Sequence, residues 1–474
     1  MKSFIILFAL FAFHKTFSQT VTLRDTTNQY DYIIITVPEF VSACESFKQH
    51  KEIVRDFRTL IVDTTQIFSE FDSSLTPQDN IRDFISYAGT FWREPRPQNY
   101  LLAGNLSKIP NYKSIIFGGS QYADTAFTDF KYSVSKYNQD TTFSSFSIGR
   151  ITAKTIIDLE NYLNKVITFE TDTIHSGWMN RNLFVSQYYV GDTVWTYFEE
   201  FTESLMSQVP SYFENAWYTE NDSAGNFGDR DSIINHLNNK GVTSLWLIGH
   251  TFNTQFGYND IFNISDVEFL NNNPMSFLTI FYLRQFFSSD TTEYGLADKL
   301  ITDDNASIII IAPTGTVFAS QQRILLINLI QELYGVSHNS FGETIRIVRN
   351  QFPFSRTVSI LNLWGDPSLK LKYDITVDVE DFQEEVPTDL TLYQNYPNPF
   401  NPNTKIKFVI PKSSFVNIKV YNVLGKEAMT LVNEERPAGS YEVEFDASSL
   451  PSGVYFYQLR AGSFIQTKKM ILLR

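Results

Sequence analysis

The sequence predicts two α/β units followed by a small all-β sandwich. Three observations carry this reading. Apolar, β-branched runs alternate with amphipathic stretches from about 30 to 170, and the same rhythm resumes from 181 to about 372. That alternation belongs to parallel strands whose connecting helices cover both faces of a sheet. After an acidic stretch the pattern switches to short alternating strands separated by turn residues, the signature of a β-sandwich.

In the first unit, "YDYIIITVP" is a continuous β-branched run and predicts a buried strand. "PEFVSACESFKQHKEIV" follows with Phe40, Cys44 and Phe47 at helical spacing. "FRTLIVDTT" predicts a second strand, "PQDNIRDFISYAGTFW" a helix, and "QNYLLAGNLSKIP" a third strand with a turn. In the second unit, strands are predicted at "NLFVSQYY", "SLWLIG", "MSFLTIFYL" and "ASIIIIAPTG". Helices are predicted at "TYFEEFTESLMSQV", "DSIINHLNN", "GLADKLI" and "ILLINLIQELYG". The C-terminal strands are "KIKFVIP", "VNIKVYNV", "YEVEFDA", "GVYFYQLRAG" and "QTKKMILL", with turns at "LGKE", "RPAGS" and "LPSG".

The predicted organisation is a signal segment at 1–19, α/β units at 20–175 and 176–373, an acidic linker at 374–390 and the β module at 391–474. The signal reading rests on Lys2 followed by an apolar run at 4–13, too short to span a bilayer, with cleavage expected near Ser18 and Gln19. No later segment reads as transmembrane.

Net charge is -14, which disfavours nucleic acid and anionic membranes as partners. A hydrophobic fraction of 43% with 42 Phe and 25 Tyr suits a packed globular chain and argues against disorder. Cys44 is the single cysteine, so no internal disulfide can form and stability must come from burial.

The β module carries "LYQNYPNPFNPNTKIKF", "VYNVLGKE", "LPSGVYFYQL" and "KKMILLR" in that order. Together these resemble the C-terminal sorting domain of the type IX secretion system of Bacteroidetes-type bacteria. The resemblance implies export through periplasm and outer membrane by the type IX machinery, then surface attachment or release. Pro397, Pro399 and Pro402 independently make the approach to its first strand extended and stiff.

The core carries "NYLLAGNLSKIP", "FSIGRITAKTIIDLENYLNKVITFE", "LWLIGH" and "LNLWGDPSLKL". In this order they resemble the gingipain (C25) cysteine peptidases over most of residues 30–375. The resemblance implies a caspase-like core, two adjacent α/β sheets with a His–Cys dyad at the strand ends of the second. His250 then stands at the catalytic base, with Thr251 after it where the family has Gly. The nucleophile position falls on Tyr282, at the end of the next strand.

This chemistry needs a thiolate beside the imidazole and backbone N–H groups for the oxyanion. A tyrosine does not replace it, because a phenol of pKa ~10 holds little phenolate at neutral pH. A Cβ at Thr251 is expected to obstruct close backbone approach. Ser288 and Ser289, just beyond Tyr282, are chemically possible nucleophiles but read as an ordinary polar loop, and no GxSxG turn exists. Cys44 lies on the apolar stripe of the first helix and reads as a small core residue. His250 reads either as a relic of the dyad or as a polar loop residue; the surrounding resemblance favours the relic.

The remaining histidines show no metal-ligand spacing, and no cofactor is expected. Asp124 and Asp129 lie where the resemblance allows a calcium contact, though a solvated loop is the plainer reading. Asn105 replaces a family Asp, and Asp366 is expected to order a turn before Pro367. Three functions stay open: a secreted pseudo-peptidase binding peptide or protein in its cleft, an active endopeptidase with an unrecognised nucleophile, and a surface adhesin on an α/β scaffold.

Overall fold

The computed structural model describes residues 21–373 and 391–473, apart from 72–74, 116–124, 139–141, 173–176, 189–195, 221–224, 272–276, 283–293, 316–318, 336, 354, 396–397, 399, 411–413, 437–438 and 463. The expected signal segment, the acidic linker, Asp124, Ser288, Ser289, Pro397 and Pro399 lie outside the described residues. The chain divides into two units, Met1–Asp374 and Ile375–Arg474.

The first unit opens with β1 (Tyr32–Thr36), whose five residues are all buried. Alternation sorts them to two faces. Tyr32 and Ile34 join the core that includes Phe40, Cys44 and Phe47 of the helix that follows, whereas Ile33 and Ile35 join Ile81, Phe84 and Ile85 on the other side. An unbroken apolar run is what a strand covered on both faces requires. Helix α1 (Val41–Val54) leads to β2 (Thr59–Asp63), where Asp63 caps α2 (Thr64–Glu70). Helix α3 (Pro77–Phe91) starts with Thr76 accepting from Asp79 N and Pro77 in its first turn, a strong start signal. Strand β3 (Asn99–Ala103) follows, then the hairpin β4 (Tyr112–Ile115) and β5 (Thr125–Thr128), the short α4 (Phe130–Ser133) and β6 (Ser147–Ile151). Helix α5 (Ile156–Thr171) begins with a Thr155–Asp158 capping box.

The second half alternates β7 (Arg181–Ser186), α6 (Thr196–Met206), β8 (Glu214–Thr219), α7 (Arg230–Asn239) and β9 (Ser244–Ile248). A small hairpin, β10 (Gln255–Phe256) with β11 (Phe262–Asn263), precedes β12 (Leu278–Tyr282), α8 (Leu296–Thr302) and β13 (Ile309–Pro313). Helices α9 (Ala319–Leu333), α10 (Phe341–Gln351) and α11 (Arg356–Ser359) lead to β14 (Leu361–Trp364).

The two α/β halves are present, and their two adjacent sheets, as the resemblance implies them, are joined into one ten-stranded mixed sheet in the order β2-β1-β3-β6-β14-β13-β12-β9-β7-β8. The seam is β14, antiparallel to β13 and meeting β6 where Trp364 faces Arg150. Here glycine is required by close approach: a Cβ on Gly149 would stand 2.1 Å from the Gly365 carbonyl oxygen. Gly365 itself has φ +113°, a conformation open to glycine and strained for other residues. So the Gly-Arg and Gly-Asp-Pro-Ser pieces of the sequence meet and join the halves.

Two buried ionic groups lock this seam. Arg150 pairs with Asp129 through Nε and Nη2, both at 2.7 Å, and donates to the carbonyls of Gly104 and Ile109. Asp129 is therefore a buried partner of Arg150, which corrects its reading as a solvated loop residue; such pairing offsets the cost of burying a guanidinium. Asp366 does order its turn, accepting from Ser368 N and Oγ at 2.9 Å. It also accepts from Tyr32 Oη at 2.7 Å and pairs with Lys51 at 2.6 Å. Lys51, His50 and Arg55 all reach Glu170 on α5. Asn105 is buried and holds the turn after β3, its backbone N donating to Ala153 O and its Oδ1 accepting from Ser107 Oγ.

The second unit is a sandwich of two antiparallel sheets. One holds β15 (Thr391–Leu392), β16 (Asn403–Ile410) and β19 (Gly439–Asp446); the other holds β18 (Glu427–Arg436), β17 (Ser414–Asn422), β20 (Gly453–Ala461) and β21 (Phe464–Leu472). Alternate residues Val416, Ile418 and Val420 of β17 and Tyr455, Tyr457 and Leu459 of β20 point into its core. β15 and β18 are additional to the five strands expected. No helix among the described residues is long and apolar enough to cross a membrane.

Candidate active site

Parallel strands place their successive residues at one edge of the sheet, and that edge is where α/β folds hold ligands. β7, β9 and β12 are mutually parallel neighbours, so Gln187, Gly249–His250 and Tyr282 all emerge there. Gln187 N donates to Ile248 O at 2.9 Å, fixing the two chains just before they diverge. Gly249 must be glycine because a Cβ would lie 2.5 Å from Gln187 Cβ and 3.2 Å from Phe256 Cε2.

His250 is half-buried, with its ring edge-on to Phe198 at 5.5 Å and tilted against Tyr258 at 4.8 Å. Gln187 Oε1 accepts from the His250 backbone N at 2.8 Å and lies 3.2 Å from its Nδ1. The backbone N is an obligate donor, so the amide must present its oxygen. The ring completes the pair only with a proton on Nδ1, which puts the lone pair on Nε2. Among the described residues Gln187 Nε2 is buried without a hydrogen-bond partner.

Thr251 is fully buried and its hydroxyl likewise lacks a partner, while its backbone bridges to Phe256. The loop closes on itself where Gly257 N donates to His250 O at 2.9 Å. Tyr282 sits opposite Ile248 in the register, at the end of the strand beside the histidine strand. The Tyr282 side chain lies outside the described residues.

Beyond Tyr258 the same loop walls a pocket of about 500 Å³ with Glu220, Phe227, Asp229, Arg230, Asp231, Asn259, Asp260 and Ile261. Glu220 follows β8, accepts from Tyr188 N at 3.1 Å, and burial pushes its pKa above the usual carboxylate range. Arg230 is already paired with Asp260 and Asp266, so the lining is net negative.

Cys44 is far from this chemistry in kind as well as place. It is fully buried on α1 among apolar side chains, and burial pushes its thiol up to about 12. A thiol in that state supplies no thiolate near neutral pH. No group of three or more His, Cys, Asp or Glu is placed to hold a metal ion among the described residues.

His250, Thr251 and Tyr282 are the residues the sequence points to at this sheet edge; Gln187, Tyr258 and Glu220 are brought to them by the fold. The usable signal for Gln187 was present: it is the first large polar residue after the buried run of β7, as His250 is after β9.

The model of Peptidase family C25 matches residues 25–372, and that of the secretion system C-terminal sorting domain matches residues 394–473. The crystal structure of the Arg-specific cysteine proteinase gingipain R (RgpB) superposes with a TM-score of 0.56 at 15% identity, covering 94% of this chain and 98% of that one. The complex of Porphyromonas gingivalis RgpB pro- and mature domains gives 0.55 at 14% identity over 94% and 100%. No curated protein sequence matches. At such identity the structural likeness establishes a gingipain-like α/β core. The sorting domain marks export across the outer membrane and interaction with the type IX secretion machinery. With the family model spanning residues 25–372, the chain belongs to peptidase family C25.

Proposed function

We propose that this exported family member is a pseudo-peptidase, which keeps the cleft at His250 to bind peptide or protein and has lost cysteine chemistry. The observation that carries this is the placement of the sole cysteine: Cys44 is buried on α1 with its thiol raised to about 12, while the strand beside the histidine strand ends in Tyr282. A base without a nucleophile does not open a peptide bond by acyl transfer. Binding draws on what remains: an aromatic-lined histidine, and a neighbouring pocket whose carboxylates favour a cationic side chain.

The test is to incubate purified protein with a peptide library and a thiol-directed activity probe, and to measure peptide binding by calorimetry. The expected result is neither turnover nor labelling, with binding of Lys- or Arg-containing peptides that weakens in Glu220→Gln. Hydrolysis abolished by His250→Ala would overturn the reading in favour of an unrecognised nucleophile. Binding indifferent to His250→Ala and Glu220→Gln would favour a surface adhesin on an α/β scaffold.

A further inference from the structure

A second pocket, of about 380 Å³, lies in the first half of the core and shares no lining residue with the pocket beside His250. Its wall brings together three cations from separate elements: Arg82 on α3, Lys113 on β4 and Lys131 on α4. Tyr112, Phe130 and Val134 supply its apolar surface. The volume falls in the range of small-ligand sites.

The three cations are held, not loose. Lys131 Nζ sits 4.7 Å over the Tyr112 ring, and Lys113 Nζ 5.6 Å over Phe127. The Tyr112 ring is itself fixed by its hydroxyl, which donates to Asp79 Oδ1 at 2.8 Å. Arg82 donates through Nε to Val134 O at 3.3 Å, a bond that leaves the two terminal amino groups of its guanidinium to serve other acceptors.

What these cations lack is a counter-ion. The chain has 52 acidic residues against 38 Lys and Arg, so most cations can find a carboxylate. Nearby ones do: Lys108 pairs with Glu39, Lys136 with Asp83 and Arg150 with Asp129. Among the described residues Arg82, Lys113 and Lys131 have no such partner at ion-pair distance. Asp79 lies close enough to feel the charges of Lys131 and Arg82, but it is occupied by Thr76 and Tyr112. Three cations against one engaged carboxylate leave a net positive pocket in an acidic protein, and like charges gathered without compensation repel.

We propose that this pocket is an oxyanion-binding site, taking a ligand that carries a carboxylate or phosphate group on an apolar body. Arg82 matches such a group with its planar fork, the two ammoniums neutralise it, and the aromatic wall receives the apolar part.

The test uses the full chain and two probes, inorganic phosphate and an end-capped hexaglutamate peptide, titrated by calorimetry at low and high salt. The partner variant is Lys113→Ala with Lys131→Ala; both lysines are exposed, so the fold is expected to survive, and an unchanged thermal transition checks this. At least one probe should bind the wild type, weaken with salt, and bind the double variant roughly tenfold more weakly. Phosphate binding alone identifies a free oxyanion ligand, and peptide binding alone identifies carboxylates on an acidic segment. If neither probe binds, or if the double variant binds as tightly as the wild type, the proposal is wrong.

Discussion

One oxygen holds both ends of the candidate base: Gln187 Oε1 accepts from the His250 backbone N at 2.8 Å and faces its Nδ1 at 3.2 Å. The geometry keeps the ring in the tautomer a general base needs. The chemistry is that of a neutral amide, so it orients the imidazole but brings no negative charge to balance an imidazolium. Replacing it with a carboxylate supplies the missing charge. Gln187→Glu should raise the His250 pKa by roughly one unit or more, since an opposite charge within hydrogen-bond reach favours the protonated ring. A proton NMR titration of the imidazole resonances reads this directly, and superimposable titration curves would refute the assigned contact.

Gly249 allows that contact to exist. A methyl group there would stand 2.5 Å from Gln187 Cβ, a backbone-proximal atom that cannot swing away. Gly249→Ala should therefore cost about 1–3 kcal/mol, the usual range for overpacking a filled core. Chemical denaturation measures it; an unaltered midpoint would mean that the β7–β9 approach is looser than described.

Core strands are legible where burial on both faces comes with an unbroken apolar run, because a run such as "YIIIT" suits a strand covered on both sides and little else; β6 and β14 are as deeply buried, but Gly149, Arg150 and Asn362 interrupt their runs and they do not read as strands. The sequence is silent on β8, an edge strand with mostly half-exposed residues, and on β18, whose residues are largely solvent-facing. Helix α10, "FGETIRIVRNQ", is hard to read from sequence because its buried positions include Gly342, Thr344 and Arg349. The site was half legible: His250 announces itself by following a buried strand, whereas Gln187 acquires its role only when β7 and β9 lie side by side. Asp129 could not be read as buried without knowing that Arg150 lies beneath it.

Tyr282 offers a gain-of-function test of the proposal that a His–Cys dyad has been lost. Tyr282→Cys combined with Thr251→Gly puts a thiol at the end of β12, one strand from His250, and removes the Cβ after the base. The double variant should acquire labelling by a thiol-directed peptidase probe, and the labelling should fall on adding His250→Ala, because the imidazole is what generates thiolate. Mass spectrometry of the labelled protein distinguishes this site from Cys44. Absence of labelling in the folded double variant would mean that Tyr282 is not the nucleophile position.

The Lys51 ammonium joins α1 to Asp366 at the seam and to Glu170 on α5, at 2.6 and 2.7 Å. Burial alone would raise the Asp366 pKa, but the Lys51 charge and hydrogen bond outweigh it and hold the carboxyl below its ordinary value. A depressed folded-state pKa means stability that is present above the unfolded value, about 3.9, and is lost as pH falls through the folded one. Lys51→Met leaves two buried carboxylates without their shared cation and should cost about 3–5 kcal/mol at neutral pH. A loss below about 1 kcal/mol in denaturant unfolding would show that the network is dispensable, as some exposed pairs are.

Asp298 carries the opposite sign. It is buried in the first turn of α8, and burial raises its pKa to about 6, against the opposing pull of the Gly295 N–H, the Thr152 hydroxyl and Lys154. The folded protein therefore holds a proton that the unfolded chain releases from about pH 4. Its contribution is fully present below that pH and is lost as pH rises through the folded value. Asp298→Asn keeps an acceptor for Gly295 N and removes the charge. It forfeits a few tenths of a kcal/mol of favourable interaction with the helix start. The net expectation at pH 7 is a variant more stable than wild type, on the order of 2 kcal/mol, with the advantage gone at pH 4. Thermal unfolding of both proteins across pH 4–7 decides it: parallel profiles would show that Asp298 ionises in the folded state as easily as in water.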